Sequence, residues 1–452
     1  MYGLHITRIR LSNVKAFKDL DLSFGQGFSS VLFTGDNGNG KSTLLRAIAL
    51  GLGDEMGAYG LMSELSGSFV NYGATKAKIE IFLNSSIGNE EYKTQTVIEI
   101  IDKYGTQNVA QTYHMKEQGG RFRKIDADDF PLYNLFCTAY GTSCRTLGKE
   151  RYHQYYHADS VYQLFKSDAP LSEQELSFRR ILDYKLTNIP DNGRRTKRQE
   201  CVFEILSDLI NLPEGWSIKF KDSGIYFING NTLDRKGKPE ETALSAMGDG
   251  VRAITTLLLD MISWWHLYLD EIPDDEPGFE SLDKKNLATD FGNYHGIIII
   301  DEIEIHLHPV WRKQIISDLI NNFPGIQFIF TTHSAMCVSG ATDVADTDHL
   351  RFYRVSPDRS HELFFQPGTT ANEILRTEAF GLTSTTGAVF EKKMDELDKE
   401  ILENVSQSNS AKNVTKDYLK QLREKNPNQK IFEDMMSEHV EFIKELKKSS
   451  DR

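Results

Sequence analysis

Gly35-Asp36-Asn37-Gly38-Asn39-Gly40-Lys41-Ser42, followed by Thr43, has the residue types and spacing of a loop that wraps a polyphosphate. Glycines let the backbone curl around an anion with successive N–H groups pointing inward, where a side chain would block the approach. The nucleotide-binding residues expected are Asn37, Gly38, Asn39, Gly40, Lys41, Ser42 and Thr43, with Lys41 reaching the β and γ phosphates and the Ser42 hydroxyl ligating Mg2+. Far downstream, Ile297-Ile298-Ile299-Ile300 runs into Asp301-Glu302. Asp301 is expected to hold the metal shell opposite Ser42, and Glu302 to polarise the water that attacks the γ phosphate. A further apolar run, 326–330, leads through Thr331-Thr332 to His333, whose imidazole can hydrogen-bond the γ phosphate. Together these residues read as a site that binds ATP with Mg2+ and hydrolyses it.

Each of these groups needs an element to hold it. The loop sits between an apolar run, 30–33, and a helical pattern, 44–50, whose N-terminal dipole adds to the phosphate site. Four consecutive isoleucines before Asp301 read as a strand buried on both faces, ending at the carboxyl edge of a parallel sheet, where ligands collect. Residues 311–323 read as the helix between the acidic strand and the histidine strand. Residues 78–84 and 95–102 alternate like an antiparallel sheet, 136–142 reads as another core strand, and 171–211 reads as helical with a break at 189–193.

Loop, Ile-rich strand with Asp-Glu, the segment 304–309 and Thr331-Thr332-His333-Ser334 resemble the ABC-type ATPases of the RecF, SMC and OLD group. The opening 6–17 is similar to their first strand and turn. That resemblance implies an α/β fold, a P-loop NTPase of ABC type with a mixed sheet and an antiparallel β lobe, here with a helical insertion and a helical C-terminal tail. It also implies that 304–309 is the loop after the catalytic glutamate and that catalytic His333 closes the site. A signature segment should reach a partner's nucleotide, and 244–252 is the candidate, with Ser245, Gly248, Asp249 and Gly250 placed to act in trans. Both Ser245 and Gly248 suit a γ-phosphate contact, since a hydroxyl or a bare N–H opening a helix would serve. No glutamine marks the usual glutamine loop near 136–145. The active unit implied is a head-to-tail homodimer around two ATP, with higher oligomers open.

At 452 residues the chain is too long for one ordinary core. We expect lobe 1–140 with the phosphate loop, a mostly helical insertion at 141–240, lobe 241–380 with signature, acidic strand and histidine, and a charged helical docking tail at 381–452. No stretch of eighteen apolar residues occurs, so no membrane partner is expected. Met1-Tyr2-Gly3-Leu4-His5 enters a strand pattern directly, and the four cysteines are scattered, so a cytoplasmic setting is expected. A net charge of -13 argues against coating nucleic acid, leaving 121–124 and 194–198 as local basic clusters that could contact DNA.

The insertion is too short for chromosome-spanning arms, and Asp346-Thr347-Asp348 follows His333 too closely for a nuclease domain, so no nuclease activity of the chain's own is expected. Size, the Gly248-Asp249-Gly250 signature and the tail resemble the PtuA ATPases of Septu-type anti-phage systems, also found beside retrons. The resemblance implies an ATPase that controls a separately encoded HNH nuclease, PtuB-like. The alternatives are a RecF-like DNA-binding repair ATPase and a transporter's nucleotide-binding subunit.

Overall fold

Both faces of the strand Gly296–Ile300 are covered, which is why it is apolar at every position instead of alternating. In this computed structural model, residues 4–382 are described, except 26, 88–89, 104, 118–119, 128–134, 143–146, 149–153, 167–170, 173, 184–193, 222–223, 235–236, 272–293 and 346–347. The strand belongs to a six-stranded sheet ordered His361–Leu363, Leu350–Arg354, Ser30–Thr34, Ile326–Thr331, Gly296–Ile300, Cys137–Tyr140. All neighbours run parallel apart from the edge strand His361–Leu363. Ser30–Thr34, Ile326–Thr331 and Gly296–Ile300 therefore end side by side at one carboxyl edge.

A second six-stranded sheet is antiparallel throughout, in the order Phe17–Ser23, His5–Val14, Lys76–Ile87, Glu90–Lys103, Thr106–Lys116, Phe122–Ile125. Between the sheets lies the helix Lys41–Leu52. Its Leu44, Leu45 and Ile48 share one core with Ile79 and Ile81 of the antiparallel sheet and with Ile297, Ile299 and Ile329 of the parallel one. Gln327 is a buried polar residue in a strand that is apolar from Phe328 to Phe330, and it fastens the sheets together. Its Nε2 donates to Ile6 O (3.1 Å) and Ser29 O (2.8 Å), while its Oε1 accepts the Ile6 N–H (2.7 Å). A buried amide satisfied this fully costs little and fixes register. The α/β architecture, mixed sheet and antiparallel lobe are those of a P-loop NTPase of ABC type.

The opposite face of the parallel sheet is covered by the helices Asp249–Glu271, Pro309–Asn322 and Arg194–Leu209, whose buried residues join Ile298, Ile300, Phe328 and Phe330 in a second core. Asp249–Glu271 is apolar around most of its circumference because the helix Gln174–Asp183 packs on it as well, with Arg180 Nη1 donating to Ser263 Oγ at 2.8 Å. Phe178 of that helix stacks on Phe203 at 5.2 Å. Among the described residues, no helix is long and apolar enough to cross a membrane.

Two expectations change. A three-stranded antiparallel sheet, Trp216–Lys221, Gly224–Leu233 and Pro239–Ala243, occupies part of the insertion expected to be mostly helical. The reason is legible in the residues, since Ile218, Ile225 and Phe227 turn inward with a period of two. The basic cluster 194–198, one of the two that could contact DNA, is the first turn of Arg194–Leu209, and Arg198 is buried with its guanidinium on Ile181 O. Of a stretch read as an acidic surface loop, 270–277, Asp270 and Glu271 end the helix Asp249–Glu271 and 272–277 lie outside the described residues, as do the expected helical tail beyond 382 and Asp346-Thr347.

Where Pro309–Asn322 meets Arg194–Leu209, burial and the neighbouring Asp208 carboxylate push Asp318 up to about 6. A carboxyl whose pKa is higher folded than unfolded costs stability as pH rises from its unfolded value toward its folded one, and the penalty is complete above that. Asp318→Asn is expected to raise Tm at neutral pH by about 2 °C, once the shift is discounted for solvent screening. In scanning calorimetry that gain should shrink as pH falls below about 6; a gain that persists unchanged in acid would dissociate it from this carboxyl pair.

Candidate nucleotide site

The strand Ser30–Thr34 delivers the loop, and Gly40 turns it into the helix Lys41–Leu52 in the left-handed conformation, φ 89°. A Cβ there would stand 2.7 Å from the Phe17 ring of the first hairpin, so glycine is required by both backbone and space. Lys41 is 5% exposed and folds back on its own loop, its Nζ donating to Gly35 O at 2.7 Å and Asp36 O at 3.0 Å. Burial lowers its pKa, while Asp301, Glu302, Asp36 and Glu304 pull the other way. Those four carboxylates come from two distant stretches of sequence.

Asp301 ends the adjacent-but-one strand and is buried. Thr331 Oγ1 donates to its Oδ1 at 2.5 Å and accepts the Glu302 N–H at 2.7 Å. Glu302 sits at φ 47°, a conformation that costs a non-glycine residue about 1–2 kcal/mol, and the Thr331 bond holds it there. Asp301 Oδ2 receives no protein donor among the described residues, which leaves a carboxylate oxygen of the kind a hard cation takes.

His333 follows the histidine strand, and its place is fixed by Glu304, which is 8% exposed. Glu304 Oε1 accepts the His333 N–H at 2.6 Å and Oε2 accepts the Thr332 hydroxyl at 2.8 Å. His333 Nε2 stands 3.8 Å from Glu302 Oε1, beyond hydrogen-bond reach. Burial first, then Lys41, lowers the imidazole pKa against Glu304, Asp301 and Asp36, so at neutral pH this is a neutral ring and no ion pair.

The structure thus brings together Asp36, Lys41, Asp301, Glu302 and His333. Asn37 and Gly38 are exposed at the loop's tip, Asn39 is half-buried, and Ser42 and Thr43 open the helix. Among the described residues no hydrogen bond or ion pair links the signature residues to this group: Ser245 lies in a short 3-10 turn, Leu244–Ala246, and Gly248 and Asp249 at the start of Asp249–Glu271, all three exposed, with Asp249 paired to Arg252. Gly250 differs from them. It is buried, and a Cβ on it would meet the Trp311 ring at 2.3 Å, so it serves packing within its own chain. Sequence reasoning did not single out Thr331, Glu304 or Arg354, the last of which forms a 3.2 Å ion pair with Asp36. Polar residues at the ends of buried strands were the available signal.

Two family models match, an "AAA domain" over residues 8–177 and an "AAA domain, putative AbiEii toxin, Type IV TA system" over 121–337. The chain is 25% identical over 389 residues to Septu protein PtuA of Bacillus mycoides, an alignment covering 84% of this chain and 45% of that protein. It is 24% identical over 391 residues to the Retron Ec83 probable ATPase of Escherichia coli, covering 73% of this chain and 69% of the relative. The chain thus spans about half the length of the Bacillus relative. Among solved structures, the SMC head domain of Thermotoga maritima aligns with 80% of this chain and 99% of its own, at 15% identity and a TM-score of 0.41. Matches of this kind from residue 8 to residue 337, with Septu and retron relatives along most of the chain, support an ABC-type ATPase of the RecF, SMC and OLD group.

Proposed function

We propose that two copies of this chain close head to tail around two ATP molecules, hydrolyse them, and thereby control a separately encoded HNH nuclease in anti-phage defence. One observation carries the catalytic part. Three neighbouring parallel strands end together, so that Lys41, Asp301 with Glu302, and His333 lie within electrostatic reach of one another. In this reading Lys41 leaves its loop carbonyls for the β and γ phosphates, while Asn37 to Gly40 and Thr43 wrap them with backbone N–H groups and hydroxyl. Ser42 and Asp301 would hold Mg2+, which when bound supplies positive charge to the phosphates. Glu302 takes the proton of the attacking water. The neutral His333 donates a hydrogen bond to the γ phosphate and senses its presence.

The exposed Ser245, Gly248 and Asp249 would complete the partner's site, so that loss of the γ phosphate opens the pair. We assign 1–140 and 241–380 to the two lobes of the ATPase, 141–240 to an insertion and 381–452 to a docking tail. The names of the relatives, Septu PtuA and retron ATPase, support the role in defence. The test is reconstitution with the separately encoded HNH nuclease that this reading requires. We expect no DNA cleavage by the chain alone and cleavage by the pair that changes at least several-fold between ATP and a non-hydrolysable analogue. Cleavage indifferent to nucleotide would refute control by the ATPase, and ATP-dependent DNA retention by the isolated chain would favour the RecF-like alternative.

A further inference from the structure

Asp36 places a carboxylate, its side chain 60% exposed, on the loop meant to receive a polyanion. Its charge reaches the site, being among those that act on both Lys41 and His333. Left alone, such a group repels a triphosphate at close range. It is not left alone. The strand Leu350–Arg354 lies parallel to the loop strand with Arg354 opposite Thr34, and this register carries the Arg354 guanidinium to the loop. Arg354 Nη2 stands 3.2 Å from Asp36 Oδ2. Its other end is fixed too, with Nη1 donating to Glu378 O. Glu378 is in turn held through its carboxylate by His361 Nε2 at 2.7 Å. The guanidinium is thus braced from behind and aimed at the one acid of the phosphate loop.

We propose that Arg354 is a positioning residue for nucleotide uptake, neutralising Asp36 and holding its carboxylate off the path of the phosphates. This rests on the loop being a nucleotide site. A fluorescent ATP analogue and its ADP counterpart, titrated into the full chain, test it. Arg354→Gln is expected to weaken ATP about tenfold and ADP less, since the repulsion scales with ligand charge. Asp36→Asn should bind ATP at least as tightly as wild type. The double variant should recover wild-type affinity, because removing the acid removes the need for its partner. Undiminished ATP affinity in Arg354→Gln overturns the proposal. So does a deficit that persists in the double variant, for the guanidinium would then touch the nucleotide itself or merely brace Glu378. Weaker binding by Asp36→Asn, which leaves Arg354 in place, overturns it independently. Lys41→Ala in the same titration keeps the underlying reading separate: wild type that binds nothing removes the nucleotide site and this inference with it, whereas wild type that binds while Arg354→Gln is unaffected removes this inference alone.

Discussion

Lys41→Ala is expected to weaken ATP binding at least about 100-fold, a loss of about 3 kcal/mol, because the β and γ phosphates lose a buried, charge-assisted donor. The expectation follows from where Lys41 sits. Among the charges acting on it are four carboxylates, Asp301, Glu302, Asp36 and Glu304. Deleting the ammonium removes a buried cation from among these carboxylates, and the site then attracts the polyanion less. The substitution also frees Gly35 O and Asp36 O, which Lys41 now ties together, so part of the loss reflects a loosened loop. Isothermal titration separates the two contributions. A lost phosphate contact penalises ATP more than ADP, whereas a loosened loop penalises both alike. Affinity equal to wild type would refute the assignment of this loop.

How far the sequence carried this reading depended on whether the chemistry was local. The loop from Gly35 to Ser42 is contiguous, and its strand and helix flank it directly, so composition and order were enough. Asp301-Glu302 and His333 were legible because each caps an apolar run, and a buried parallel strand announces its carboxyl end. Glu304 was quoted within its segment, yet its work, accepting both the Thr332 hydroxyl and the His333 N–H, depends on two chain segments meeting. The pairing of Arg354 with Asp36 spans 318 positions, and no periodicity encodes a contact of that kind. The strands 216–221 and 224–233 were missed for another reason: Ile218, Phe220, Ile225 and Phe227 do alternate, but a neighbouring amphipathic helix dominated the reading. Arg198 shows the limit of charge runs, since one member of a basic cluster is buried against Ile181 O while its neighbour Lys197 is exposed.

Glu302→Gln should slow ATP turnover by about 10²–10⁴-fold, the usual worth of a positioned general base, while leaving ATP affinity close to wild type. The amide keeps the size of the side chain. It also keeps the backbone that Thr331 restrains, because the bond that holds φ at 47° comes from the Glu302 N–H and not from its carboxyl group. What disappears is the capacity to take a proton. Glu304, two positions on, is badly placed to substitute, since one of its oxygens accepts the His333 N–H and the other the Thr332 hydroxyl. Asp301 is committed to Thr331 through one oxygen and, in the proposed mechanism, to the metal through the other. With binding spared and hydrolysis blocked, ATP should accumulate a long-lived closed dimer, visible by light scattering on a size-exclusion column. Wild type should instead return to its starting state as ATP is consumed. Turnover that survives the substitution would mean that another group orients the water; turnover lost without a trapped dimer would mean that ATP does not join two copies.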